Sequence, residues 1–88
     1  MNTVHLDSAE RRAVRNRLSR ARGQLEAVIR QLDQDEACLQ VLPQMIAANK
    51  AVDRATYAMI LAAMQACSQQ PDALAESQQI EKIFLSLA

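Results

Sequence analysis

The sequence predicts an all-α protein of three helices, of which the middle one is the longest. Only one Gly and two Pro occur among 88 residues, which leaves little turn material and favours few, long helices. Apolar residues recur at steps of three and four, as they do along one side of a helix. The chain is expected to form one domain over residues 1–88, and its long apolar stripes predict pairing with other copies.

The first helix is predicted to begin at Asp7 or Ser8, after a segment 1–6 that we expect to fray. Gly23 falls within it at a cost of about 1 kcal/mol against Ala, and we interpret it as a mark of close helix packing. A polar junction at residues 31–36 ends the helix. Its apolar stripe comprises Val14, Leu18, Ala21, Leu25, Val28 and Leu32.

The second helix is predicted to start near Asp35 and to contain Pro43, which costs about 3 kcal/mol inside a helix. We expect a bent helix here, rather than a start near Leu42 that would leave Cys38 in a loop. A third helix is predicted at roughly residues 71–87, with Pro71 in its first turn. The heptad-like stripe of the second helix comprises Cys38, Leu42, Met45, Asn49, Val52, Thr56, Met59, Ala63 and Cys67.

Charge is distributed unevenly although the net charge is zero. Residues 1–30 carry seven Arg against three acids, a net charge of +4, and residues 31–88 carry three basic residues against seven acids, a net charge of −4. A basic N-terminal third favours a surface that binds a polyanion, although a solvated arginine face would have the same composition. The arginines concerned are Arg11, Arg12, Arg15, Arg17, Arg20, Arg22 and Arg30.

The two cysteines are too far apart to meet within one straight helix. The 29 steps from Cys38 to Cys67 correspond to about 43 Å, whereas a disulfide needs Cα atoms within about 7 Å. Either the helix folds back or each thiol meets a second subunit. Two thiols fit a low-coordinate Cu(I) site, with His5 as an additional candidate ligand, and they do not fit a four-ligand zinc site. They also fit two buried apolar residues.

Other function classes find little support in the sequence. A glycine-rich phosphate loop and a nucleophile–base pair are both missing, so we do not expect an enzyme. The sequence also contains no signal peptide, no lipidation motif and no apolar run of roughly 18 residues. We therefore expect a soluble, cytoplasmic protein with reduced thiols.

Two segments resemble the CsoR/RcnR/FrmR family of transcriptional repressors. The run RLSRARGQ from Arg17 is similar to the family signature RLxRxxGQ, and CLQVLPQM from Cys38 is similar to CxxVLxQI. Ala47 and Arg54 continue the match, and Cys67 falls where the copper sensors place their second cysteine. The resemblance covers residues 11–88.

The resemblance implies a three-helix protomer, an antiparallel four-helix bundle dimer and a dimer of dimers. Cys38 of one subunit would then face Cys67 of the other. It also implies operator DNA as the partner and an inducer that weakens DNA binding. Arg17 and Arg54 fall at family positions implicated in DNA contact or its coupling; Arg20, Arg22 and Lys50 are added as DNA-binding candidates from their charge.

The residue four before the second cysteine distinguishes the branches of this family. Copper sensors have His there, whereas this chain has Ala63, and it also lacks the N-terminal features of the nickel and formaldehyde sensors. Two facing thiols without an imidazole resemble the persulfide-sensing, CstR-like branch. The sequence therefore predicts a repressor released by reactive sulfur species through Cys38 and Cys67, without a cofactor. The alternatives are a Cu(I)-responsive repressor and a helical oligomer that does not bind DNA.

Overall fold

Three helices make up the fold of residues 3–87, which are the residues described by this computed structural model. The first, α1, spans Ser8–Asp33, α2 spans Cys38–Ser68 and α3 spans Leu74–Ser86. No strand occurs in that part of the chain. The predicted all-α fold and the order of the helices are confirmed.

Local capping explains where α1 begins and ends. The Asp7 side chain accepts a hydrogen bond from the backbone N–H of Glu10 at 2.8 Å, which satisfies one free donor of the first turn. At the other end, the N–H of Glu36 donates to the carbonyl of Gln31, and that of Asp35 to Leu32. These two bonds are the Schellman arrangement, which requires a left-handed residue, here Asp35 with φ 53°. The chain thereby reverses direction within four residues.

A strict seven-residue repeat of small side chains forms the contact between α1 and α2. We call it the alanine seam, and its members are all buried: Val14, Ala21 and Val28 in α1, and Val41, Ala48, Ala55 and Ala62 in α2. Ala48 is 0% exposed, and Ala21 and Ala55 are 1% exposed. A repeat of seven keeps one narrow line of each helix facing the other, and small side chains let the two backbones approach closely.

Large apolar side chains lie beside the seam and remain exposed, so the predicted stripes describe the core of the protomer only in part. In α1 the stripe divides, since Leu18, Leu25 and Leu32 are exposed. In α2 the predicted stripe lies beside the contact with α1: Leu42 is 51% and Met45 47% exposed in the protomer. Two parallel lines of apolar residues share the heptad spacing of α2, and the line of smaller residues packs against α1.

The boundaries of α2 and α3 differ from the predictions by a few residues. Helix α2 starts at Cys38 rather than near Asp35, because residues 34–37 form the chain reversal. It continues through Pro43 to Ser68, so Cys38 is helical, as expected. Helix α3 starts at Leu74 rather than Pro71, because Pro71 and Asp72 lie in a turn that the N–H of Ala73 closes onto Gln70 at 3.2 Å.

The close packing inferred at Gly23 is not found within the protomer. A Cβ atom built at this exposed position would meet nothing within 4 Å. The glycine lies on the outer side of α1, away from the alanine seam.

Helix α3 is attached to the rest of the protomer by a few contacts. Its Phe84 ring meets Tyr57 of α2 edge-on, with centroids 6.2 Å apart, and none of its residues is fully buried. The segment before α1, for which the sequence predicts fraying, also reaches α3: the N–H of Val4 donates to Glu76 Oε2 at 2.9 Å. Met1 and Asn2 lie outside the described residues.

None of the helices described here has the length and apolar character needed to span a membrane.

Overfilling the alanine seam should destabilise the hairpin of α1 and α2. Ala55 is 1% exposed, and Ala55→Leu is expected to lower the free energy of unfolding by roughly 1–3 kcal/mol because the added carbons have no space. Ala47→Leu is the matched control, since Ala47 is exposed on the same helix and the change in helix propensity is the same. Urea denaturation followed by circular dichroism measures both variants. Equal stability of the two would contradict the seam.

Candidate functional site

Cys38 is the first residue of α2 and its side chain is exposed. Its position follows from the chain reversal, which delivers the backbone to the start of α2 at Ala37 without a side-chain cap. The thiol is therefore accessible in the protomer at the end of the molecule where α1 turns into α2.

Cys67 lies one residue before the end of α2 and is 6% exposed. Its carbonyl accepts a hydrogen bond from the N–H of Gln70 at 3.1 Å, which begins the turn towards α3. Both cysteines are free thiols. Because α2 is one helix from Cys38 to Ser68, the two thiols of a protomer lie near opposite ends of that helix, about 43 Å apart. A fold-back that would join them within one subunit does not occur.

Both thiols lie on the same side of the alanine seam. A helix turns by about 100° per residue, so a residue's distance along the chain from a seam residue gives its direction. Cys38 comes three residues before Val41, and Cys67 five after Ala62, which turns both to the side of Leu42, one residue after Val41. We call this side of the α1–α2 hairpin the apolar flank.

The apolar flank contains an open groove of about 580 Å³ between the two helices. Exposed large side chains continue it along both helices, among them Leu18 and Ile29 of α1 and Met59 of α2. A contiguous apolar surface of this kind typically marks a protein–protein contact. The groove is lined by Leu25, Val28, Leu42, Met45, Ile46, Asn49 and Val52.

The opposite side of the seam, the basic flank, collects three of the predicted DNA-binding arginines. Arg17 lies in a depression together with Ala58, Leu61 and Gln65 of α2. Arg20 and Arg54 each come one residue before a seam alanine and so point to that same side. Lys50 lies at its outer edge, two residues after Ala48, and all four side chains are exposed.

Arg22 does not join this group. It comes one residue after Ala21, which turns it to the apolar flank, where it lies beside Arg15, Leu18 and Ser19. The sequence analysis grouped Arg22 with the other DNA-binding candidates because of its charge. The side to which Arg22 points depends on which line of α1 residues faces α2, and only the structure shows that.

Glutamines accompany the arginines on the basic flank, and sequence reasoning did not single them out. Gln24 and Gln31, like Arg17, each come three residues after a seam residue of α1, and Gln44 comes three after Val41. The Oε1 atom of Gln31 is buried without a hydrogen-bond partner. The spacing of these glutamines from the heptad of small residues identifies them in the sequence. That spacing can be used only once this heptad is known to form the contact between α1 and α2.

His5 lies at the same end of the protomer as Cys67. It is exposed and helps to line a polar cavity of about 480 Å³ with Ala66 and Ser68, the two neighbours of Cys67. Its Nε2 atom lies 3.4 Å from Thr3 Oγ1. Within residues 3–87, no three His, Cys, Asp or Glu side chains come together in a way that could hold a metal ion. The described part of a protomer therefore does not form a closed metal site by itself.

Comparison with known proteins identifies relatives of this hairpin. The family described as "Metal-sensitive transcriptional repressor" matches residues 10–87. A protein named copper-sensing transcriptional repressor CsoR from Mycobacterium ulcerans is 36% identical over 58 residues, which is 66% of this chain and 50% of that protein. The proteins of the same name from Mycobacterium bovis and Mycobacterium tuberculosis are 33% identical over 60 residues, 68% of this chain and 50% of theirs.

The matched segment thus spans half the length of these curated relatives. No solved structure matches the chain. The resemblance at family level is confirmed, whereas the comparisons give no support to the persulfide-sensing branch in particular. Because the family match extends from the first helix to the end of the third, the chain belongs to the metal-sensitive transcriptional repressors.

Proposed function

We propose that this protein is an operator-binding repressor whose inducer bridges Cys38 of one subunit to Cys67 of another. The observation that supports it is the division of the hairpin into two flanks. Arg17, Arg20 and Arg54 lie on one flank, whereas the thiols and the apolar groove lie on the other. A subunit pair can therefore form and react on one side while the other side contacts DNA.

Phosphate contacts from the basic flank account for DNA binding in this proposal. Guanidinium groups form bidentate hydrogen bonds to phosphate oxygens, and glutamine amides can donate hydrogen bonds to phosphates or to base edges. The flank is built from helices whose relative position the alanine seam fixes. A change in how two subunits sit against each other would move whole basic flanks and alter their spacing along the duplex.

Cu(I) is the inducer that we propose first. The relatives are named copper-sensing, and two thiolates form the soft, low-coordinate site that Cu(I) prefers. Cys38 and Cys67 would hold the ion from two antiparallel subunits. Ala63 offers no imidazole, so the position of His5 beside the neighbours of Cys67 makes it the candidate for a third ligand.

Reactive sulfur species are the second candidate, and the absence of an imidazole at Ala63 favours them. The Cys38 thiolate would attack a sulfur atom of a polysulfide, which breaks one S–S bond and releases a shorter polysulfide. Cys67 of the partner subunit would then attack the persulfide formed on Cys38, which expels hydrosulfide and leaves a disulfide. Where the first attack transfers two or more polysulfide sulfurs to Cys38, attack by Cys67 on the sulfur next to the terminal one likewise expels hydrosulfide and leaves a trisulfide or longer bridge.

Removing an arginine from the basic flank should weaken DNA binding in a salt-dependent way. Arg17→Ala and Arg54→Ala are each expected to lower affinity for the DNA upstream of the protein's own gene. The slope of log K against log salt should become shallower by about one unit for each phosphate that the variant no longer neutralises. Fluorescence anisotropy across a salt series measures both quantities.

Arg12→Ala is the matched control for these variants. Arg12 is an exposed arginine of α1 that comes two residues before Val14 and so points away from both flanks. It should change affinity less than Arg17→Ala does, although the charge removed is the same. If the three variants behave alike, DNA contact by this flank is wrong; if none of the proteins binds DNA, the helical oligomer without DNA binding is the better account.

Loss of either thiol should abolish the response to the inducer and leave operator binding intact. Cys38→Ser and Cys67→Ser are each expected to prevent stoichiometric Cu(I) binding under anaerobic competition with a chelator. The wild-type protein should release DNA on loading with Cu(I). His5→Ala separates a two-coordinate site from a three-coordinate one, because it lowers affinity only where the imidazole is a ligand.

Polysulfide treatment of the same variants distinguishes the second candidate. Intact mass spectrometry should find two subunits joined through Cys38 and Cys67 with additional sulfur atoms if reactive sulfur is the inducer. Cu(I) that binds without releasing DNA, together with sulfur bridges that do release it, would reverse the order of the two candidates. DNA binding that responds to neither treatment would contradict the thiol site.

A further inference from the structure

The stripe of α2 that lies on the apolar flank contains two polar residues besides the thiols, and their positions are symmetric. Asn49 lies eleven residues after Cys38, and Thr56 lies eleven residues before Cys67. Both turn to the apolar flank, since each comes one residue after a seam alanine. Asn49 is exposed in the groove, and Thr56 is half-buried.

The apolar residues of this flank follow the same symmetry. Leu42 and Ala63 each lie four residues from a cysteine, and Met45 and Ile60 each lie seven. In an antiparallel pairing of two α2 helices that sets Cys38 opposite Cys67, a large Leu therefore faces a small Ala. Such alternation of large and small side chains favours close packing between facing helices.

The same pairing sets Asn49 opposite Thr56 of the partner subunit, once on each side of the two-fold axis. The Thr56 hydroxyl already donates to the carbonyl of Val52, with Oγ1 and O 3.1 Å apart. Its proton is thereby committed within its own helix, and its oxygen lone pairs are free to accept. The Asn49 amide supplies two N–H donors at the corresponding height.

We propose that Asn49 donates a hydrogen bond to Thr56 of the partner subunit and that this pair fixes the register in which the thiols meet. The proposal rests on the proposed function, because it takes the facing of Cys38 and Cys67 as its geometry. A shift by one helical turn would leave the amide and the hydroxyl against apolar side chains, where an unpaired polar group is costly. A single buried Asn sets register and orientation in paired helices in the same way.

Removing one member of the pair should weaken association of the dimer. Removing both members should restore the strength of association but not the register of the two helices. Asn49→Leu and Thr56→Val are each expected to raise the dimer dissociation constant by roughly 10- to 30-fold, since two unpaired groups per dimer result. In the double variant both of these positions are apolar and no donor or acceptor of the pair is left unpaired, so association should return to within about threefold of wild type. Analytical ultracentrifugation measures the association.

Thiol cross-linking with a short bismaleimide, followed by peptide mapping, measures the register. Wild type should give mainly Cys38–Cys67 links between subunits. The single and double variants should give a several-fold lower yield of these links, because a shift by one helical turn moves the two sulfur atoms about 5 Å further apart. Gln40→Leu is the matched control, because it places Leu at an exposed position of α2 on the opposite flank and should leave the link pattern unchanged.

Two outcomes overturn the proposal separately. If wild type cross-links through Cys38 and Cys67 and the variants keep both that pattern and wild-type association, the Asn49–Thr56 pair does not set the register. If wild type itself gives only Cys38–Cys38 and Cys67–Cys67 links, the antiparallel thiol pair of the proposed function fails, and this inference fails with it. The double variant keeps the test decisive should a single variant not fold.

Discussion

The close contact between α1 and α2 along the alanine seam is the constraint on which the rest of this structure depends. Seven small residues at a strict heptad spacing fill the line where the two helices meet, so no large side chain can enter it. The leucines, isoleucines and methionines must then lie outside the contact, where the protomer leaves them exposed. Apolar burial is the main favourable term in folding, and this protomer leaves much of its apolar surface outside its own core.

The seam also determines which residues act together. Because it fixes the rotation of both helices, it turns Arg17, Arg20 and Arg54 to one side and the two thiols to the other. In the proposed function, a reaction at the thiols changes how subunits pack without any contact with the basic flank. Rigid helices are suited to carry such a change, because a small shift where they pack displaces the whole basic flank.

Membership of the repressor family does not by itself specify an inducer, and the chemistry at one position bears on the inducer that we propose. The relatives are named for copper sensing, and two thiolates suit Cu(I). Ala63 supplies no imidazole, whereas His5 lies beside the two neighbours of Cys67. In the proposed Cu(I) site a third ligand would thus come from the segment before α1, which Val4 ties to Glu76 of α3.

The sequence by itself determined the helical class, the number and order of helices, the two thiols and the family, because these depend on periodicity, turn residues and local motifs. It also placed the thiols beyond reach of each other along one straight helix, and the structure then excluded a fold-back of that helix. Only the tertiary structure decided which of two apolar lines on α2 faces α1, and with it that Arg22 leaves the basic group while Gln31 and Gln44 join it. Both lines of residues on α2 have heptad spacing, so the spacing does not show which of them packs against α1. The line of smaller side chains forms that contact, because it allows the two helices to approach more closely.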